Sequence, residues 1–294
     1  MNVLIKRWEE NSDNYIIESK KNGAHFIGIL NGLLERNGYG INIYRTGEKY
    51  LGYFEQDLPN KNGIYLWSPV IKGRNIHFEC YQGLWKNNKK EKNGTYIWLT
   101  EPLNNKEFDN ADFDAYVGIF DKDKFIKGTY LSKIKDDYYL YHGGFDSDGK
   151  KSDENAFFYS SKFDRILKGK IEKDVFVNAY VAFFESDSGE IKNLVHCDFD
   201  RKGNIESIIL MNDLKEEEKI KEEKEISLFR SVILEIDYFG IIYERFHKIK
   251  DFIRDNAESI DIFEDKNKFP NLMNLCRNQG ENNIFKNIIF SLIS

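Results

Sequence analysis

Proline is nearly missing from this 294-residue sequence, with 4 residues, and no apolar run is long enough to cross a bilayer. Cysteine is equally thin. Cys80, Cys197 and Cys276 are odd in number and far apart, which excludes a fully paired disulfide framework and fits a reducing compartment. No sustained basic block is present and the net charge is −6, so nucleic acid is not an expected partner. The opening residues turn polar straight after Val3-Leu4-Ile5 and lack the pattern of a secretory signal or transit peptide, so a cytoplasmic setting is expected. Phosphate-binding loops, dinucleotide fingerprints and nucleophile elbows are all missing, and with them the motifs of the commoner enzymes. Aromatics, in contrast, are plentiful. Twenty-three Phe and 17 Tyr raise the aromatic share to 15%, which favours strands and interfaces over helices.

The aromatics are ordered. An apolar or aromatic residue, a glycine two positions on and a second apolar residue two further on recur as Phe26-Gly28-Leu30, Tyr50-Gly52-Phe54, Tyr81-Gly83-Trp85, Tyr116-Gly118-Phe120, Tyr141-Gly143-Phe145 and Leu167-Gly169-Ile171. A period of two places all three residues of a unit on one face of a strand. Glycine inside a strand costs about 0.5–1 kcal/mol relative to alanine, so its repetition implies a groove in which large rings lie. A second glycine follows at 12 or 13 residues from the first four anchors, as Gly38, Gly63, Gly94 and Gly128; three of these follow Asn and are expected to end or turn a strand. Near the corresponding places in the last two units stand Ala156 and Ala179. Spacings of 24, 31, 35, 25 and 26 residues between anchors put insertions at 68–79 and 100–114, expected to loop out from one edge of the sheet.

On Tyr50-Leu51-Gly52, Tyr81-Gln82-Gly83-Leu84-Trp85, Tyr116-Val117-Gly118, Tyr141-His142-Gly143 and the Gly38-Tyr39-Gly40 pair, the chain resembles the membrane occupation and recognition nexus (MORN) repeat family. The resemblance covers roughly residues 24–190. It implies a mainly β N-terminal region, an open elongated antiparallel sheet of stacked hairpins, followed by an α-helical C-terminal extension. The expected divisions are a cap at 1–24, six degenerate repeats at 25–190, a closing hairpin at 191–212 turned by 200–204, and the helical extension at 213–294.

After Asp213, which is expected to cap a helix, the period changes. Glu217–Lys221 and Lys219–Glu223 spacings suit an exposed helical face, and Ile226, Phe229, Ile233, Ile236, Phe239, Ile242, Phe246, Ile249 and Phe252 form an apolar stripe from which a helix over 214–254 is predicted, with a break near Gly240 as the alternative. Shorter helices are expected around 271–276 and 281–292, and the apolar end, including Phe290, requires a docking surface.

Few polar constellations suggest chemistry. His196 and Cys197 are neighbours in a strand and face opposite sides, and Asp109, Asp112 and Asp114 lack the glycine and terminal glutamate of a calcium loop. Asp146-Ser147-Asp148-Gly149 reads as a turn. No metal, cofactor or catalytic residue is assigned. The expected functional surface is aromatic: Tyr65, Trp67, Trp85, Tyr96, Trp98 and Tyr130 on the repeats, with Phe229, Ile233, Phe246 and Phe290 in the extension, all as partner-binding residues, while Gly28, Gly52, Gly83, Gly118, Gly143 and Gly169 are structural. The resemblance, with a composition rich in Asn, Lys and Ile, implies a non-catalytic scaffold among other protein subunits of a cytoskeletal assembly, in a cilium or axoneme such as a radial-spoke head. Two alternatives remain. One is a membrane-apposed phospholipid adaptor using the basic cluster Lys86, Lys89, Lys90 and Lys92. The other is an enzyme of unrecognised type, which requires His142 or His196 in a closed pocket with a carboxylate.

Overall fold

The computed structural model describes residues 4–11, 14–21, 24–46, 48–67, 75–76, 79–99, 103–104, 112–185, 188–210, 213 and 215–235. For 4–11, 14–21, 27, 75–76, 99, 103–104 and 233–235 the description covers the backbone alone. The chain divides into two units, Met1–Ser231 and Val232–Ser294, and the account below concerns the first together with the helix that ends it.

The strands run in chain order. They are β1 (Leu4–Asn11), β2 (Asn14–Lys21), β3 (Ala24–Leu30), β4 (Arg36–Ile43), β5 (Lys49–Glu55), β6 (Leu58–Trp67), β7 (Asn75–Ile76), β8 (Glu79–Lys86) and β9 (Lys89–Leu99). There follow β10 (Leu103–Asn104), β11 (Phe113–Asp121), β12 (Lys124–Ile134), β13 (Asp137–Gly144), β14 (Asp153–Ser160), β15 (Arg165–Glu172), β16 (Val175–Phe184), β17 (Ile191–Phe199) and β18 (Ile205–Leu210). All except β7 and β10 belong to one 16-stranded sheet in which each strand pairs with its neighbours in sequence, an open array of stacked antiparallel hairpins. The strands β7 and β10, one from each insertion, pair with each other. A single helix, α1 (Glu216–Glu235), follows among the described residues. It starts after Lys215, whose carbonyl accepts from Lys219 N, so Asp213 is not its capping residue. Glu216, Glu217 and Glu218 fill the first turn, where the helix dipole favours negative charge.

The glycines stand in register. Gly28 faces Gly40, Gly40 faces Gly52, and the row continues through Gly63, Gly83, Gly94, Gly118, Gly128 and Gly143. Ala156, Gly169, Ala179 and Cys197 extend it, so alanine and cysteine take the small-residue place in the later units. Two expectations are corrected here. The first unit contributes Gly40 to the row, whereas Gly38 faces Phe54. Asn62-Gly63 and Asn93-Gly94 do not turn the chain but lie inside β6 and β9.

The turns lie elsewhere, at Gln56-Asp57, Asn87-Asn88, Lys122-Asp123 and Lys173-Asp174, where both residues have positive φ, from 48° to 75°. That is the primed geometry whose twist matches the flanking strands, formed here without glycine and with Asp or Asn at the second position of every turn. Each turn is tied to the preceding hairpin: Asp57 Oδ1 accepts from Arg36 N at 2.9 Å, Asp123 Oδ1 from Lys90 N at 2.9 Å and Asp174 Oδ1 from Lys151 N at 2.9 Å. The same turn residues return a backbone N–H to the carbonyls of Arg36, Lys90 and Lys151. Asn88 donates to the carbonyl of Pro59, which has no N–H to complete a reciprocal pair.

On the face opposite the glycine row, a line of apolar side chains runs Leu66, Cys80, Ile97, Ala115, Leu131, Leu140, Tyr159, Ile166, Ala182 and Leu194 in register, all buried except the half-buried Tyr159. Helix α1 packs on its later part. Ile226 is fully buried against Ile166, Ala182 and Leu194, and Phe229 stacks on Phe157 with centroids 4.2 Å apart. Glu217 and Lys221 are exposed as expected, and another side of the helix carries a buried ion pair: Lys168 Nζ lies 2.5 Å from Glu222 and 2.6 Å from Glu225. Tyr180 donates to Glu218 and Arg230 pairs with Asp164 at 3.3 Å. The closing hairpin β17–β18 turns through Asp200–Asn204 as expected, but β18 does not blunt the sheet edge, because Ile205, Ile208, Ile209 and Leu210 are all exposed.

Two stability predictions follow from this packing. Gly83→Val should lower stability by about 2–4 kcal/mol, because overpacking beside a fixed ring forces backbone shifts. A Cβ there would stand 2.5 Å from the Tyr81 hydroxyl and 2.6 Å from Gly94 Cα, whereas Gly32→Ala meets nothing within 4 Å and should leave denaturant melts unchanged. Lys168→Met should cost about 3 kcal/mol or more by leaving Glu222 buried without its ammonium partner. Burial opposes the Lys168 charge, but the two carboxylates outweigh it and raise its pKa, while the Lys168 hydrogen bond holds Glu225 below the ordinary glutamate range. The pair therefore stabilises α1 between those limits, losing its contribution as pH falls through the depressed Glu225 value or rises through the elevated Lys168 value. Proteolytic release of α1 across pH checks this, with a small acid limb because Glu225 is partly exposed.

Candidate functional site

The glycine row is the floor of the aromatic face. In four successive units the leading tyrosine folds back along its own strand over the glycine two residues on. The Tyr50 hydroxyl donates to the Tyr53 carbonyl at 3.1 Å, Tyr81 to Leu84 at 2.9 Å, Tyr116 to Ile119 at 3.0 Å and Tyr141 to Gly144 at 2.6 Å. These four rings are buried, and burial pushes the Tyr116 phenol up to about 12. The next aromatics along the strands complete the packing: Phe54 meets Tyr50 edge-on at 4.9 Å, Trp85 meets Tyr81 at 5.0 Å, Phe120 meets Tyr116 at 5.1 Å and Phe145 meets Tyr141 at 5.4 Å. Trp85 also donates its indole N–H to the Gly63 carbonyl at 3.2 Å.

Beside the glycine row runs a row of seven tyrosines in direct register, Tyr50, Tyr65, Tyr81, Tyr96, Tyr116, Tyr130 and Tyr141. Buried leading rings alternate with half-buried second-strand rings along its first six places. A third row stands beyond it, nearer the insertions. There Trp67 faces Glu79, Glu79 faces Trp98, and Trp98 faces Asp114. Indoles and carboxylates alternate across four neighbouring strands.

Each of the two carboxylates of this row serves a half-buried tyrosine, and Glu48, just before β5, serves a third. Tyr65 donates to Glu48 at 2.9 Å, Tyr96 donates to Glu79, and Tyr130 donates to Asp114. Glu48, Glu79 and Asp114 each stand two residues before a leading tyrosine, at Tyr50, Tyr81 and Tyr116. This acid-x-Tyr-x-Gly pattern is legible in the sequence and extends the triplet by one step. Burial raises the Glu79 pKa, with Lys90 opposing, and burial lowers that of Lys90, with Asp123 and Glu79 opposing.

Two ammonium groups lie on the rings. Lys90 Nζ is 4.6 Å from the Tyr96 centroid and 5.0 Å from Trp67, and Lys151 Nζ is 4.8 Å from Tyr130. Lys90 pairs with Trp85 and Lys151 with Phe145, which are equivalent places in their units; Phe125, opposite Phe120, fills that place between them with a ring stacked 4.1 Å from Tyr116.

The expected partner-binding residues thus separate. Tyr65, Trp67, Tyr96, Trp98 and Tyr130 are half-buried and contiguous on the glycine face, packed against one core cluster. Trp85 is only 5% exposed and belongs to the ring packing beneath them. Phe229 is on the opposite face, where it fastens α1 to Phe157. Of Ile233 the backbone alone is described, and Phe246 and Phe290 lie outside the described residues. The six glycines all occupy the small-residue row.

The remaining polar candidates have local roles. Asp146 Oδ1 accepts from the backbone of Asp148 and Lys150, closing a turn in which Gly149 has φ +79°. Asp112 accepts from Lys135 N and Asp114 from Tyr130, so these two acids bond within the sheet around β11; Asp109 lies outside the described residues. His142 Nδ1 is 2.9 Å from Thr129 Oγ1, and its pKa is lowered first by burial and then by Lys127. His196 lies beside the Tyr180 ring at 4.8 Å. Among the described residues no group of three or more His, Cys, Asp and Glu side chains is placed to hold a metal ion, and no helix is long and apolar enough to cross a membrane. No protein-family model matches the chain, and no match was found among curated proteins.

Proposed function

We propose that this chain is a non-catalytic scaffold, a MORN-like repeat array whose glycine face binds another subunit of a cytoskeletal assembly, with an axoneme as the setting. The observation that carries the reading is the contiguous half-buried ladder Tyr65, Trp67, Tyr96, Trp98 and Tyr130. Its rings are fixed from below by the buried tyrosines and glycines and from the side by carboxylates. Rigid aromatic area of this kind presents large contact surface at little entropic cost, and side chains held in advance lose little on association. The buried rows beneath support the ladder without contributing contact surface themselves.

A membrane-apposed adaptor is the second reading, and the geometry weakens it. Lys89 is paired with Asp123 at 2.8 Å and Lys90 is spent on the rings, which leaves Lys86 and Lys92 as the exposed members of the basic cluster without such an engagement here. Isolated lysines add about 1 kcal/mol each at an anionic surface, too little for stable attachment.

The test is crosslinking mass spectrometry on the full chain purified from its native cells, beside Trp67→Ala/Trp98→Ala. Crosslinks from Lys90 and Lys92 to a cytoskeletal component should be present in the wild type and lost in the folded double variant; crosslinks that persist unchanged overturn the reading. Flotation with phosphatidylserine vesicles at physiological salt should show no binding, and binding abolished by neutralising Lys86, Lys89 and Lys92 would favour the adaptor.

A further inference from the structure

Resting on the ladder as the partner-binding face, the geometry points to the chemistry of what it binds. We infer that the Trp67–Glu79–Trp98–Asp114 row takes a basic segment of a partner protein, bound in extended form, with Lys or Arg side chains seated between the indoles.

The charge pattern is the first ground. Two indoles and two carboxylates alternate in direct register, and Glu48, just before β5, accepts from Tyr65. Each carboxylate is held in place by one tyrosine hydroxyl, and a carboxylate has about four acceptor sites, so the tyrosine orients it without exhausting it. Indole faces and carboxylates both attract cations, and Arg in particular combines stacking on an aromatic ring with hydrogen bonds to a carboxylate.

A second ground is that the face already holds cations of its own. The Lys90 ammonium lies over Trp67 and Tyr96, attracted by Asp123 first and then by Glu79, and the Lys151 ammonium lies over Tyr130 at the equivalent place two hairpins on. Where the intervening unit has Phe125, a ring fills the same space. Two lysines of the chain itself thus lay an alkyl stem and a cationic tip on these rings.

Spacing specifies the form of the ligand. Glu79 and Asp114 are separated by one intervening strand, β9, hence by about 9.6 Å at the usual interstrand distance. A polyproline II segment advances about 3.1 Å per residue, so cations at every third position recur at about 9.3 Å on one side. An α-helix reaches a comparable repeat only with cations seven residues apart, at about 10.5 Å.

The experiment titrates the full chain, by its intrinsic tryptophan fluorescence, with a 12-residue peptide of Arg-Pro-Pro repeats. Matched peptides carry Gln or Glu in place of Arg, and a helical peptide carries Arg at every seventh position. The Arg peptide should bind, weaken as salt is raised, and weaken by about tenfold or more with Glu79→Gln/Asp114→Asn, as expected on removing the charged partners. These replacements keep an acceptor for Tyr96 and Tyr130, and the salt dependence of the wild type gives a readout that does not depend on the variant folding. Equal binding of the Gln peptide, or no effect of the double variant when folded, overturns the basic chemistry. Tighter binding of the helical peptide overturns the extended form, and failure of the Arg peptide to bind overturns the inference. The ladder as a partner surface stands or falls separately, on the crosslinks lost or kept in Trp67→Ala/Trp98→Ala.

Discussion

A tyrosine ring laid along its own strand over two facing small residues, glycines in three units and Gly143 with Ala156 in the fourth, is the interaction on which this sheet depends. Burying such a ring removes roughly 150–250 Å² from water, about 4–6 kcal/mol at the usual coefficient. Two strand glycines cost about 1–2 kcal/mol together, so the exchange favours the ring. The hydroxyl then finds a carbonyl three residues on, which satisfies its polar end without a partner from elsewhere in the chain. Because the ring lies flat, the next aromatic can meet it edge-on, and the second-strand tyrosines and tryptophans are lifted to the height at which they remain half exposed. The buried face and the presented face are thus consequences of one contact repeated four times.

The later units show what happens when the ring is lost. Leu167 stands where a tyrosine would lead, and Gly169 is closed instead by the backbone of its neighbour, with Ala179 Cα 2.6 Å from where a Cβ would be. Here the opposite face takes over. Ile226 and Phe229 of α1 bury Ile166, Ala182 and Leu194, and Lys168 joins the helix through Glu222 and Glu225. The ring packing is thus a property of the middle units, and in the last ones the contacts of α1 on the opposite face stand in its place.

The triplets from Tyr50 to Phe145 were readable because side-chain period and glycine placement are local properties of a strand, and the later alanines were readable as substitutes because Ala179 falls at the same spacing and Ala156 close to it. The turns were not. Asn-Gly is a strong hairpin signal, but in Asn62-Gly63 and Asn93-Gly94 the glycine is demanded by the ring of Tyr50 or Tyr81, and the reversal is left to Gln56-Asp57 and Asn87-Asn88. Two physical requirements favour the same residue, and the sequence does not say which one applies. The burial of Trp85 was equally hidden, since it depends on Tyr50 and Tyr65 from the neighbouring hairpin. The carboxylates Glu48, Glu79 and Asp114 were visible in principle; each sits two residues before a recognised anchor, but with 49 Asp and Glu among 294 residues three in phase carry little weight alone.

The pairing of every strand of the 16-stranded sheet with the next one along the chain has a kinetic consequence. Most connections are short, so each new strand closes only a small loop before gaining its ladder and ring contacts, and the sheet can grow from any formed hairpin in either direction. Growth must pause at the two insertions, where the distance along the chain lengthens between β6 and β8 and again between β9 and β11. Three folding segments are therefore defined by the two places at which zipping is slowest, and the segment containing β8 and β9, which carries Glu79, Lys90 and Trp98, is the one whose assembly completes the aromatic face.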